Sequence, residues 1–299
     1  MQRKSKYLKN SLLTTCKQAV YHIVMSFPCK LYVFFILVSP VNLIFFTIFS
    51  FPQQIHHRYI PAYFSQKKIP ALLDIAPFFQ YYLNMTGIVD YNAGNITSVE
   101  RALKVLKAPF ILSKNPKDLE KADRIIFPGV GDAAYAMKQL KLTGFDLFLK
   151  DWAASGKKLA GICLGSQIIF DRSDEGDTEC LGLLPGSIVH FSTLFDEIGM
   201  NRDDAIKIPH IGWNDLTYDN GGSALLEGIP EHSDFYFVHS YVICPKEYSI
   251  VKATADYGIK VPACVEKDNI SAFQFHPEKS GSHGMQILKN FCKDDLIKG

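Results

Sequence analysis

Cys163 stands between Gly161 and Gly165, where an apolar run (Leu159 to Ile162) meets a helical pattern running from Leu164 to Phe170. A side chain on a tight strand-to-helix turn projects from the carboxyl edge of a sheet, and the close packing of such a turn admits only small neighbours. This is the logic of a nucleophile elbow carrying cysteine instead of serine, and the amino terminus of the following helix favours thiolate. Far downstream, Phe273-Gln274-Phe275-His276-Pro277-Glu278 ends a second apolar run. It offers an imidazole to take up and return a proton, and two residues on a carboxylate to orient the ring. Cys163, His276 and Glu278 together have the parts for acyl transfer through a thioester.

Taken singly, each residue has a plainer reading. An isolated cysteine is most often a small buried hydrophobe, and an isolated histidine a satisfied structural residue. The elbow spacing combined with a strand-terminal His-Pro-Glu turns the reading toward catalysis. Cys180, Cys244, Cys264 and Cys292 lack such a setting and read as core or incidental thiols, and His210 and His239 read as structural. The loop Pro128-Gly129-Val130-Gly131 closes another apolar strand; it is either an ordinary turn or one that aims a peptide N–H at a ligand.

Other chemistries find no support. There is no C-x-x-C or His-x-x-x-His pair, so no metal is expected. A phosphate-binding G-x-x-x-x-G-K-[ST] loop is missing, as is a basic face interleaved with aromatics, so no nucleic-acid partner is expected. Seven cysteines without paired spacing point to a reducing compartment, the cytoplasm, and to no disulfide framework.

The net charge of +2 hides two unlike segments. Residues 1–84 hold nine Lys/Arg and one acid, a net of +8; residues 85–299 hold 23 Lys/Arg and 29 Asp/Glu, a net of −6. Within the basic part, 31–51 is a 21-residue stretch without a charge, and about 20 residues suffice to span a bilayer. Either 31–51 anchors the chain in a membrane with its basic flank in the cytoplasm, or residues 1–84 are an over-extended reading frame and translation starts at Met85. The compositional break at Met85 favours the second. A membrane partner is expected only if residues 1–84 are real.

From Met85 the pattern alternates short strands with helices. Strands are expected at 87–91, 109–112 and 124–128 and into Cys163, with helices at 96–106, 115–121, 133–140 and 145–154 between them. Such alternation predicts an α/β fold with a mostly parallel central sheet, helices on both faces, and ligands at the strands' carboxyl ends. The later half adds consecutive strands (187–191, 206–210, 214–218, 235–238, 250–255, 262–266 and 270–275), expected to extend the sheet with antiparallel pairs. A helix at 284–292 closes the domain, taken as 85–297, and 193–204 reads as an irregular surface insertion.

The motifs then resemble a family. Gly161-x-Cys163-x-Gly165-x-Gln167 with His276-Pro277-Glu278 is similar to the class I (triad) glutamine amidotransferases. Val89-Asp90-Tyr91-Asn92-Ala93-Gly94-Asn95, Pro209-His210-Ile211-Gly212-Trp213-Asn214, Tyr236-Phe237-Val238-His239-Ser240-Tyr241 and Glu278-Lys279-Ser280 resemble, within it, the glutaminase subunits of imidazole glycerol phosphate synthase. The resemblance covers 85 to about 293.

It implies that glutamine is hydrolysed to glutamate and that the ammonia passes to a cyclase of (β/α)8 type, here a separate polypeptide forming a heterodimer, with no cofactor. Residue by residue it implies Cys163 as nucleophile, His276 as acid and base, and Glu278 as orienting carboxylate. The Leu164 amide and an amide of Gly129-Val130-Gly131 would hold the oxyanion, and Gln167 and Ser240 the substrate. Asn95, Trp213, Tyr236 and Lys279 match positions at the cyclase contact and ammonia gate. Ser166 departs from the methionine expected there. That keeps open a paralogue feeding ammonia to amidation of a surface-polysaccharide sugar; a catalytically silent scaffold subunit is the third reading.

Overall fold

The computed structural model describes residues 85–200 and 206–293, together with the backbone of three strands nearer the amino terminus. Those three, Tyr21–Ser26, Leu31–Val38 and Leu43–Ser50, form an antiparallel sheet with Leu31–Val38 in the middle. The uncharged run 31–51 therefore holds two paired strands and is not one continuous helix. Among the described residues no helix is long and apolar enough to cross a membrane. The rest of 1–84 lies outside the described residues.

The second unit is built around an eight-stranded sheet. Its first half comprises β1 (Thr86–Val89), α1 (Ile96–Val105), β2 (Phe110–Ser113), α2 (Pro116–Leu119), β3 (Arg124–Gly129), α3 (Ala133–Thr143), α4 (Phe145–Ala154), β4 (Lys158–Cys163) and α5 (Leu164–Gln167). Short strands β5 (Arg172–Ser173) and β6 (Thr178–Glu179) follow, then β7 (Gly186–His190), α6 (Phe191–Glu197), β8 (His210–Asp215), β9 (Thr217–Tyr218), β10 (Asp234–His239) and β11 (Tyr241–Pro245). The chain ends with β12 (Val251–Asp256), β13 (Lys260–Lys267), β14 (Ile270–Phe273) and α7 (Gly281–Cys292).

The main sheet runs β9-β12-β13-β14-β4-β3-β1-β2. From β14 to β2 every pairing is parallel, while β13, β12 and β9 add an antiparallel edge. The expected α/β class with antiparallel additions holds. Period-two alternation gives the sheet a core on each face. Ile125, Phe127 and Leu159 point to one face, packing with Met137, Leu140, Phe145 and Trp152 of α3 and α4. Ile126, Ala160 and Ile162 point to the other, with Val99 and Leu103 of α1 and Ile287, Leu288 and Phe291 of α7. Two smaller sheets, β11-β7-β5-β6 and β8-β10, stand beside the main one.

Three expectations need correction. Residues 193–204 are not uniformly irregular: α6 starts there because Phe191 and Phe195, one turn apart, are buried with Val242 and Val261. No strand occupies 206–210. Pro209 has no N–H to give a ladder, and β8 begins at His210, just after it. The expected strand 214–218 breaks at the buried Leu216, whose N–H is taken by the Ser233 carbonyl. The part before it pairs with β10, and the part after it joins the main sheet through β12.

Two backbone segments approach very closely at the β4–α5 turn. A Cβ on Gly165 would collide with the Phe127 carbonyl, and one on Gly129 would lie 2.5 Å from the Gly165 nitrogen. Neither backbone segment can yield without parting β3 from the turn. Gly165→Ala should therefore destabilise by about 3 kcal/mol, the upper range for overpacking, seen as a lower urea midpoint. An unchanged midpoint would mean that the turn is free to move.

Candidate active site

Cys163 ends β4 with φ 54° and ψ −113°. An L-residue rarely adopts such a backbone, and it persists only where the surroundings over-determine it. The sheet holds one side and the glycine contacts hold the other. Ser166 adds a third restraint: fully buried, its hydroxyl donates to the Cys163 carbonyl at 2.6 Å. The helix after Cys163 is a single turn, Leu164–Gln167, and does not reach Phe170 as the pattern suggests. The carbonyls of Ile168, Ile169 and Phe170 are instead taken by amides of 181–184. What acts near the sulfur is thus the first free amides of one turn, Leu164's among them, more than a long dipole.

His276 follows β14 at the same edge, and its Nδ1 lies 2.8 Å from Glu278 Oε1. Both side chains are buried, 2% and 1% exposed. The ring's other nitrogen, Nε2, is buried and makes no hydrogen bond to a described residue. The Cys163 thiol donates toward the Val238 carbonyl at 3.8 Å. Burial alone would lower the imidazole pKa, but the Cys163 sulfur and the Glu278 carboxylate outweigh it and push it up to about 9. Sulfur and ring thus interact electrostatically without a well-formed hydrogen bond, the loose geometry common before substrate binds.

A cavity of about 410 Å³ opens at this edge. Cys163, Leu164, Gln167, Val130, Gly131, Ser240, His276 and Lys279 line it, so eight of the thirteen residues singled out from the sequence meet there. Glu278 stands behind His276. Gly129 supports the elbow from beneath. Gln167 Nε2 donates to the Tyr241 carbonyl (3.0 Å) and to Gln274 Oε1 (2.9 Å), which uses both amide hydrogens and leaves Oε1 as the group it can offer. The Val130 N–H is engaged by the Ala93 carbonyl at 3.2 Å, and Gly131 has φ 92°.

The remaining three do not line the cavity, although the Tyr236 carbonyl accepts the His276 N–H at 2.9 Å. Trp213 is 58% exposed on β8, edge-on to Tyr236 of β10 with ring centroids 6.1 Å apart. Lys279 Nζ lies 5.8 Å from the Tyr236 ring centroid and so joins this cluster to the cavity. Asn95 precedes α1 and accepts from the Ser98 hydroxyl at 3.1 Å. No hydrogen bond joins it to Trp213 or Tyr236 among the described residues.

The cavity also contains residues that the motifs did not single out: Glu175, Pro209, Val238, His239 and Tyr241. Glu175 accepts from the Ala133 N–H at 2.9 Å. Burial raises its pKa, the Ala133 bond opposes this, and the Asp132 charge adds to the rise. Nothing local marks it in the sequence, because it sits in a polar stretch between two very short strands. His239 belongs to a closed chain: Asn214 Nδ2 to His210 Nε2 at 3.3 Å, His210 Nδ1 to His239 Nε2 at 3.0 Å, and His239 Nδ1 to the Tyr241 carbonyl at 2.8 Å. Only neutral rings complete it, and burial lowers their pKa to about 4 (His210) and about 3 (His239). The structural role expected for these two fits. So does that of the other thiols: burial raises Cys180 to about 12 and Cys244 to about 11.

Residues 87–294 match the model of the family described as glutamine amidotransferase class-I. The chain belongs to that family. It is 44% identical over 209 residues to the imidazole glycerol phosphate synthase subunit HisH of Halalkalibacterium halodurans, covering 69% of this chain and 94% of that protein. With HisH of Bacillus subtilis it shares 43% over 210 residues, 70% of this chain and 96% of the relative. The amidotransferase is thus of HisH type. In fold it is similar to a crystal structure of a glutamine amidotransferase (TM-score 0.52, 18% identity, 69% of this chain and 96% of the other). PurLQS from Thermotoga maritima gives the same figures.

The histidines give this amidotransferase a two-sided pH response. His276, raised from 6.5 to about 9, contributes stability that is fully present below pH 6.5 and lost as pH rises through 9. His210 and His239, lowered to about 4 and 3, contribute stability present above pH 6.5 and lost as pH falls. In urea denaturation the advantage of wild type over His276→Gln should shrink between about pH 6 and pH 9.5, and that over His239→Gln between about pH 6.5 and pH 4. Parallel curves in either window would remove the corresponding charge assignment.

Proposed function

We propose that residues 85–297 form the glutaminase subunit of a two-subunit imidazole glycerol phosphate synthase, supplying ammonia for histidine biosynthesis. The observation that carries this reading is the meeting of Cys163, His276 and Glu278 at one cavity, in a chain 44% identical to HisH over nearly the whole relative. The partner is a cyclase of (β/α)8 type on a separate polypeptide, docked where Trp213, Tyr236 and Lys279 cluster, with Asn95 at its margin. The compartment is the cytoplasm.

Glutamine enters with its side-chain amide at Cys163. Its α-ammonium group finds Glu175, the carboxylate that lines the cavity, and the Gln167 side-chain carbonyl oxygen. The Ser240 and Tyr241 wall holds the other end of the substrate. The thiolate adds to the amide carbon, and the developing oxyanion is held by the Leu164 N–H. Collapse expels the amine, which takes a proton from His276 and leaves as ammonia. The γ-glutamyl thioester then remains on Cys163. His276, now neutral, removes a proton from water; hydroxide adds to the thioester, and glutamate leaves with the thiol restored. Glu278 keeps the Nδ1 proton in place throughout, so that Nε2 faces the chemistry.

The engaged Val130 N–H has a consequence: one oxyanion donor is occupied until the loop turns. Losing one such donor typically costs a factor of 10² to 10³, or about 3–4 kcal/mol. Glutamine turnover by the isolated subunit should therefore rise by about two orders of magnitude when the cyclase and its ligand bind. Equal turnover with and without the partner would mean that the hole is already complete.

Cys163→Ala should abolish glutamine-dependent synthesis and leave ammonia-dependent synthesis by the complex intact, since free ammonia bypasses the thiol. Steady-state assays with each nitrogen source check this. Residual glutamine turnover near wild type would remove Cys163 from the mechanism.

A further inference from the structure

Tyr91 is fully buried at the end of β1, and its hydroxyl makes no hydrogen bond to any described residue. A buried hydroxyl without a partner carries an uncompensated desolvation cost, so it calls for a reason. Its position supplies one. The oxygen lies 2.9 Å from where a Gly129 Cβ would stand, and the Gly165 nitrogen and Leu164 carbonyl carbon flank the same point. Tyr91 therefore occupies the seam between the two backbone segments that carry the proposed oxyanion donors, Leu164 on the elbow and Val130 on the loop. Its ring is fixed against Phe127, with centroids 5.3 Å apart, so the hydroxyl has little freedom to go elsewhere.

The peptide joining Gly129 and Val130 currently directs its N–H at the Ala93 carbonyl. Turning that N–H into the cavity reverses the whole peptide. The Gly129 carbonyl then swings to the side the N–H has left, where the Ala93 carbonyl already stands. Two carbonyls would face each other there, and a reversal of this kind needs a donor on that side. Tyr91, two residues before Ala93 and beside Gly129, has an unused one.

We propose that Tyr91 is a positioning residue for the oxyanion hole, its hydroxyl donating to the Gly129 carbonyl when the Gly129–Val130 peptide reverses and presents the Val130 N–H to the substrate. The inference rests on the amidotransferase reading above. It assigns the orphaned hydroxyl to the active arrangement: a hydrogen bond unmet with the loop as it stands is met once the loop has turned. Burial raises the Tyr91 pKa, and the nearby Cys163 sulfur adds to the rise.

Tyr91→Phe removes one oxygen and leaves the ring packing in place. If the hydroxyl were only a structural passenger, its removal would leave activity alone and leave stability equal or higher, since an orphaned polar group disappears. With Tyr91 as positioning residue, the variant keeps or gains thermal stability. In the complex with liganded cyclase, however, its kcat for glutamine falls by about tenfold, the effect of one ordinary hydrogen bond. KM for glutamine stays near wild type, and ammonia-dependent synthesis is unchanged.

A second measurement isolates the hole. Glutamate γ-semialdehyde adds the Cys163 thiol across its carbonyl; the C–S bond forms, the C=O π bond breaks, and the oxygen takes the proton to give a thiohemiacetal seated in the hole. Its affinity for the complex should fall by the same factor in Tyr91→Phe, while glutamine affinity in a Cys163→Ala background does not change. Wild-type kcat together with wild-type aldehyde affinity in Tyr91→Phe would overturn the assignment. Absence of glutamine turnover in the wild-type complex would instead overturn the amidotransferase reading, which Cys163→Ala reports separately.

Discussion

Two backbones touch without side chains between them where α5 leaves β4, and the geometry of the site follows from that contact. The Phe127 carbonyl and the Gly129 nitrogen press on Gly165, while register places Gly129 directly across from Cys163. A strained backbone such as that of Cys163 costs on the order of 1–3 kcal/mol and must be held by its surroundings. Here the parallel β3–β4 ladder, the glycine contact and the Ser166 hydroxyl share that task. Because the same contact fixes the end of β3, the loop at Val130 and Gly131 is delivered to the sulfur at the same time. The strained Cys163 backbone and the proposed oxyanion loop are consequences of one packing event.

The sheet edge also sorts three histidines by charge. His276 has a carboxylate at one nitrogen and a sulfur near the other, so it holds a proton up to about pH 9. His239 and His210 have only neutral partners, a carbonyl, each other and an amide, and burial keeps them uncharged to about 3 and 4. Of the three rings at this edge, only His276 is thereby a cation near neutral pH. A protonated His239 would repel His276 and weaken the Tyr241 wall. The neutral chain from Asn214 to Tyr241 is what allows one buried cation without a second.

Most of this edge was legible in the sequence because its parts are local. Gly161, Cys163 and Gly165 lie within five residues, and His276 and Glu278 within three, so spacing alone brings the chemistry into view. The strands from Met85 to Cys163 were equally plain, since a parallel sheet needs continuous apolar runs between helices. What escaped was set by distant contacts. Beyond the early end of α5, the carbonyls of 168–170 are taken by amides of 181–184. The helix at Phe191 depends on a niche formed by Val242 and Val261. Glu175 reaches the cavity only because strands of two residues each, β5 and β6, fold back beneath it. Propensity over a short window carries none of this information.

The hairpin of β8 and β10 shows how the same alternation serves two purposes. Phe235, Phe237 and His239 face inward and are buried, with His210 across from His239. Trp213 opposite Tyr236, and Ile211 opposite Val238, lie on the other face, where Trp213 and Ile211 are each 58% exposed. That outer row ends at Val238, which lines the cavity and whose carbonyl faces the Cys163 thiol. A partner covering the exposed indole would press on the residues that form the rear wall of the active site. It would at the same time close an apolar row leading away from the sulfur. Under the proposed mechanism, this row would be the exit for ammonia released at Cys163 toward the proposed partner. The pleat of a single strand pair thus places the proposed docking face and the proposed exit on one surface, and no separate device is needed to align them.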